Sequence, residues 1–151
     1  MLIKVQQEDF EPDAIVNGLC EGRTDVGAVV TFLGLVREFS KSEQIQSMTL
    51  EHYPGMTEKA LQTIVEEAQQ RWQLMDVAVI HRVGDLKPAD RIVMVAVSSA
   101  HRGDAFKACE FIIDYLKTRA PFWKKEINGE GEHWVEARES DDAAVDRWSK
   151  D

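Results

Sequence analysis

The chain has 151 residues, 44% of them hydrophobic and 30% charged, and a formal net charge of -9 at neutral pH. That length suits one domain that buries about 68–70% of its unfolded surface. The acidity excludes general binding of nucleic acid or of an acidic membrane by the whole surface, and no apolar run approaches the roughly 18–20 residues that a membrane span needs.

The N-terminal stretch MLIKVQQEDFEPD lacks the long apolar segment of a signal peptide and reads as an opening strand over 2–6. A short helix follows near 12–20, opened by Pro12 and Asp13. Residues 27–36, GAVVTFLGLV, are apolar on both faces and rich in β-branched side chains, which predicts a central strand. Arg37 to Gln46 reads as a polar loop, and a strand over 47–53 then runs to the turn signal Pro54-Gly55. From Thr57 to about Gln73, the residues Leu61, Ile64, Val65, Ala68 and Trp72 form one apolar helical stripe, with Thr57 as the expected N-cap.

Strands over 75–83 and 90–98 flank a turn at Gly84 to Asp90 and are expected to pair or lie as near neighbours. A second long helix spans about Gly103 to Arg119, packs Ala105, Cys109, Ile112 and Leu116 inward, and is stopped by Pro121. Residues 122–128 and 132–136 read as a hairpin across Asn128-Gly129, and the tail beyond Ser140 (140–151) as weakly helical, frayed and flexible. With no repeat, linker or low-complexity segment, 1–151 is read as a single domain. Strands and helices without strict alternation favour an α+β sheet with helices on one face. Two cysteines, Cys20 and Cys109, far apart and without secretory context, read as reduced thiols of a cytoplasmic protein.

Charge is unevenly distributed. Tyr115 to Lys125, YLKTRAPFWKK, holds four cations and three aromatics but no acid, in a chain that is otherwise strongly acidic. Such a basic island is explained by an anion held there. His101 and Arg102 fall between a strand end and a helix N-terminus, where backbone N–H groups and the helix dipole favour an anion; the plain alternative is that Arg102 is solvated and His101 caps or packs. Lys117 lies in the last turn of the same helix, where the dipole alone rewards a cation by about 0.3–1 kcal/mol. Lys124 follows Pro121 on a strand face shared with Phe122 and Glu126. The turn at Pro121 is placed to bring Lys117 and Lys124 together, where mutual repulsion lowers at least one lysine pKa and makes a nucleophile or general acid/base available. Judged on residue types alone, a solvated basic edge explains the same pattern. No Cys-x-x-Cys, HExxH or EF-hand spacing points to a metal. Cys109 sits on an apolar helix face as packing.

The segments GAVVTFLGLVR (27–37), LEHYPGMTEKAL (50–61), IHRVGDL (80–86), SSAHR (98–102), DYLKTRAPFWKKE (114–126) and WVEARESD (134–141) together resemble the large, catalytic subunit of molybdopterin synthase. The resemblance spans about three quarters of the chain, in order. It implies an α/β hammerhead fold with an antiparallel β-sheet subdomain and a central homodimer carrying a small ubiquitin-like subunit at each end as a heterotetramer. It also implies that the partner's C-terminal Gly-Gly, as a thiocarboxylate, donates sulfur to cyclic pyranopterin monophosphate (precursor Z). No bound prosthetic group is then expected, because sulfur arrives on the partner. Carried position by position, the resemblance makes Lys117 and Lys124 catalytic, with Arg37, His101, Arg102 and Arg138 as substrate-binding residues, Arg37 or Arg138 being the ones expected to act across the dimer. The loop after Arg37 departs from the family pattern. Two other readings remain: a non-catalytic module binding a ubiquitin-like tail, and a single-strand nucleic-acid binder stacking bases on Tyr115, Phe122 and Trp123. The shortness of the basic island weighs against the latter.

Overall fold

A computed structural model describes residues 1–40, 43–135 and 139–149. In chain order the elements are β1 (Leu2–Gln6), α1 (Pro12–Cys20), β2 (Ala28–Leu35), β3 (Phe39–Ser40), β4 (Glu43–His52), α2 (Met56–Arg71), β5 (Asp76–Arg82), β6 (Gly84–Leu86), β7 (Arg91–Ser99), α3 (Arg102–Arg119), β8 (Phe122–Asn128), β9 (Gly131–Val135) and α4 (Glu139–Asp146). They build two sheets. One has the order β1-β5-β7-β2, with β1 parallel to β5 and the other neighbours antiparallel. The other runs β3-β4-β8-β9, with β6 also paired to β4, and is antiparallel throughout.

The central strands β5 and β7 are apolar on both faces because both faces are covered. Val77, Val79, Val93, Val95 and Val97 pack with Leu61, Ile64 and Val65 of α2 and with Phe111, Ile112 and Leu116 of α3. Ala78, Ile80, Met94 and Ala96, alternating with them, meet Phe10 and Leu19, with Ile15 and Val16 of α1 packed alongside. Helices therefore lie on both faces of this sheet, and the expectation of one covered face is corrected by α1. Met48, Leu50 and Leu86 from the second sheet join the core under α2 and α3, so one apolar core spans both sheets.

Three further expectations change. The 27–36 segment forms a strand, but at the sheet edge: β2 pairs with β7 alone, and Phe32, Leu33 and Leu35 stay 36–51% exposed. Apolar residues on both faces do not make a strand central when some from each face are left for a surface. Part of the polar 37–46 stretch is strand rather than loop, as β3 and the start of β4 pair in a short hairpin. The N-cap position of α2 is Gly55 at φ 84°, its N–H bonded to Glu58 Oε2 at 3.1 Å. Thr57 is instead fully buried; its hydroxyl accepts from Tyr53 N at 3.0 Å and donates to Pro121 O at 3.1 Å.

The tail read as frayed is helical in α4 and docks on the body. Trp148 is 8% exposed, edge-on to Trp72 and Phe111 at 5.6 Å each, with Nε1 donating to Asp114 Oδ2 at 2.7 Å. Arg71 Nη1 donates to the Trp148 carbonyl at 3.0 Å, and Arg147 pairs with Glu110. Burial of an indole together with three polar ties outweighs the weak helix propensity of this short segment.

Candidate active site

The helix–turn–strand unit around Pro121 builds the site. α3 carries Lys117 into its last turn and ends at Ala120, whose backbone is extended (φ -77°, ψ 132°) because the residue before a proline is driven out of the helical region. β8 starts at Phe122, and strand alternation sends Phe122, Lys124 and Glu126 to one side. The Thr57 hydroxyl holds the Pro121 carbonyl and thereby locks this turn to the start of α2.

These side chains line a cavity of about 350 Å³ between the two sheets. Its cations are Arg37, beyond the end of β2, Lys117 and Lys124. Its carboxylates are Glu126 and Asp141, the latter on α4. Leu35, Val36, Met48, Leu50, Leu116 and Phe122 give it apolar walls, and His81 from β5 completes it. The lysine pair anticipated across Pro121 thus does share one chamber. The neighbouring cations of the basic island are engaged elsewhere. Arg119 pairs with Glu67 at 3.0 Å and covers the Tyr115 ring at 4.0 Å. Lys125 lies 3.5 Å from Glu132 and over the Trp134 ring.

His101 and Arg102 do not line this cavity. Both are exposed at the opposite end of α3, His101 in the N-cap position without a side-chain capping bond. At about 1.5 Å rise per residue, α3 separates Arg102 from Lys117 by roughly 22 Å along its axis. Arg138 lies outside the described residues.

Two cavity residues were not singled out from sequence. Glu126 is 5% exposed and stands opposite His133 on β9, whose Nε2 lies 3.8 Å from its carboxylate. His81 is 3% exposed and stacked on Phe122, ring centroids 3.9 Å apart and planes 21° from parallel. Its Nδ1 lies 2.8 Å from the Arg82 carbonyl oxygen. Burial pushes its pKa down from 6.5 to about 3; the Arg82 hydrogen bond opposes this, while the charges of Lys117, Lys124 and His52 reinforce it. The sequence signal for His81 was a lone histidine directly after the apolar run VAVI of β5, which by itself says only that a polar ring must find a partner.

The cavity joins cationic side chains and two carboxylates with apolar walls, an arrangement suited to a small organic molecule that bears an anion. Neither cysteine lines it. Cys109 is buried under α3, where burial raises its thiol pKa to about 12, so it supplies no thiolate near neutral pH. Among the described residues no group of three or more His, Cys, Asp or Glu side chains is placed to hold a metal ion.

Comparison with known proteins shows the family of the chain. The family model described as MoaE protein matches residues 5–119. A molybdopterin synthase catalytic subunit from Ralstonia nicotianae is 56% identical over 146 residues, covering 97% of this chain and 83% of that protein. Among solved structures, the molybdopterin biosynthesis MoaE protein from Burkholderia ambifaria superposes with a TM-score of 0.84 at 53% identity, covering 98% of this chain and 97% of that one. Molybdopterin synthase from Staphylococcus aureus gives 0.81 at 34% identity, covering 87% and 95%. With a family match over most of its length and relatives more than half identical across nearly all of it, the chain belongs to the MoaE protein family.

Proposed function

We propose that this chain is the catalytic subunit of a molybdopterin synthase. It transfers sulfur from the thiocarboxylated C-terminus of a small ubiquitin-like subunit to cyclic pyranopterin monophosphate, and so forms the dithiolene of molybdopterin. The observation that carries the reading is the cavity: Arg37, Lys117 and Lys124 converge in a chamber that neither cysteine lines. Sulfur chemistry here therefore draws its sulfur from outside the chain. A peptide tail ending in a thiocarboxylate supplies it.

In this scheme Lys117 faces the thiocarboxylate end and serves acyl transfer, while Lys124 holds the pterin or moves protons as the cyclic phosphate opens. Arg37 binds phosphate through its forked donors. A phosphate role for His101 and Arg102 requires a different cavity from the one in their own chain, since α3 holds them at its far end; a second protomer presenting its α3 N-terminus would satisfy that. The exposed apolar edge strand β2 favours such self-association. No helix among the described residues is long and apolar enough to cross a membrane, and two free cysteines fit a cytoplasmic setting.

The test is direct. The chain is incubated with precursor Z and thiocarboxylated small subunit, and dithiolene product is measured. Product should form and should require the thiocarboxylate. Lys117→Ala should abolish turnover while partner binding stays measurable. Product formed without thiocarboxylate, or normal turnover by the variant, overturns the reading.

A further inference from the structure

Arg37 lines the cavity with an exposed side chain, yet both of its chain neighbours are tied down. Val36, 5% exposed, lies just beyond β2. Its N–H donates to the Asp90 carbonyl at 2.9 Å, and its own carbonyl accepts from Ala89 N at 2.8 Å. On the other side the Glu38 carbonyl accepts from Ile45 N at 2.6 Å. Three main-chain hydrogen bonds thus fix the residues before and after Arg37, and with them the point from which its long side chain starts.

The group that grips Val36 is the turn from Lys87 to Asp90, between β6 and β7. The Asp90 carboxylate closes it: Oδ2 accepts from Lys87 N at 2.9 Å, while Asp90 N donates to the Lys87 carbonyl at 3.0 Å. Ala89 within it has φ 76°, in the left-handed region that a residue with a Cβ rarely adopts. Such a conformation persists where surrounding bonds over-determine it, and Ala89 is one of the two residues bonded to Val36. The register between β2 and β7 also shifts here. Gly34 pairs with Val93 but Leu35 with Arg91, so Ile92 is passed over. That bulge brings Asp90, rather than Arg91, opposite Val36.

We propose that Asp90 is a positioning residue: by closing the Lys87–Asp90 turn it clamps Val36 and so sets the Arg37 guanidinium at the cavity for the phosphate of the substrate. This rests on the sulfur-transfer reading of the cavity. An arginine recognises phosphate through a planar fork of donors whose direction matters. Displacing its main chain therefore weakens binding even though its charge remains. Asp90 does not line the cavity, so its effect on substrate passes through Val36 and Arg37.

The experiment compares wild type with Asp90→Ala, which leaves Lys87 N without its acceptor, and Asp90→Asn, whose amide oxygen can replace Oδ2. The first readout needs no sulfur chemistry: arginines are labelled with phenylglyoxal, with and without inorganic phosphate, and located by peptide mass spectrometry. Exposed Arg23, which pairs with Asp25 and does not line the cavity, is the internal control. Phosphate should slow labelling of Arg37 in wild type and Asp90→Asn but not in Asp90→Ala, and should leave Arg23 unchanged in all three. The second readout is turnover. In Asp90→Ala the KM for precursor Z should rise about tenfold, the factor that goes with one misplaced charge-assisted hydrogen bond. The KM for the thiocarboxylated partner and kcat should keep their wild-type values, and Asp90→Asn should recover most of the loss. In an Arg37→Ala background, Asp90→Ala should raise the KM no further. Should Asp90→Ala fail to fold, Asp90→Leu makes the same comparison. Equal phosphate protection of Arg37 in wild type and the acceptor-free variant overturns the proposal and leaves the turn as a connection between two strands. An unchanged KM for precursor Z, or a further rise on top of Arg37→Ala, overturns it as well. If wild type makes no product from thiocarboxylate, the sulfur-transfer reading fails, while the labelling result still decides whether Asp90 places Arg37 for an anion.

Discussion

Replacing His81 by Gln should flatten the acid side of the protein's stability profile. In the folded chain burial holds the imidazole pKa near 3, against 6.5 for the exposed side chain. Between those values the unfolded state binds a proton that the native state refuses. Stability therefore rises with pH across this window, is whole above about 6.5, and is lost progressively as pH falls toward 3. At about 1.4 kcal/mol per pH unit, acidification from pH 7 to pH 5 removes about 2 kcal/mol through this one ring. Gln binds no proton in either state, so the variant lacks that loss, while contributions from other titrating groups are common to both proteins and cancel in the difference. Urea unfolding at the two pH values, at fixed protein concentration, reads it. With a denaturant slope of about 2 kcal/mol per molar, the wild-type midpoint should fall about 1 M further than that of His81→Gln. Equal falls in the two proteins would mean that the imidazole titrates natively near its ordinary value, and the buried, neutral description of His81 would be refuted.

Trp148→Ala should cost about 3 kcal/mol, the usual scale for removing a buried aromatic side chain, and should release α4 from Trp72, Phe111 and Asp114; thermal melting and limited proteolysis of the C-terminal segment check both effects. Native protein at pH 8 should show one reactive thiol toward an aromatic disulfide reagent. That thiol is Cys20, which is partly exposed. Cys109, with its pKa raised to about 12 by burial, should react only after denaturation. Two rapidly reacting thiols in the native state would contradict the packing under α3.

What could be read in the sequence was what local rules decide. The stop at Pro121 and the two-residue period of β8 placed Lys117 and Lys124 in one chamber, because a proline break and strand alternation act over a few residues. The role of β2 was not legible. Apolar residues on both faces mean burial somewhere, but whether the cover comes from the same chain depends on strand order, which no single segment encodes. The docking of Trp148 and the stacking of His81 on Phe122 likewise depend on contacts between residues far apart in the chain. The division of the candidate cations, by contrast, was available from arithmetic. α3 runs from Arg102 to Arg119, so cations at its two ends are held more than 20 Å apart by about 1.5 Å per residue. A rigid rod cannot bring both ends to one small substrate. The helix that presents Lys117 to its own cavity thus presents His101 and Arg102 away from it, and any shared work between the two ends has to pass through a second chain.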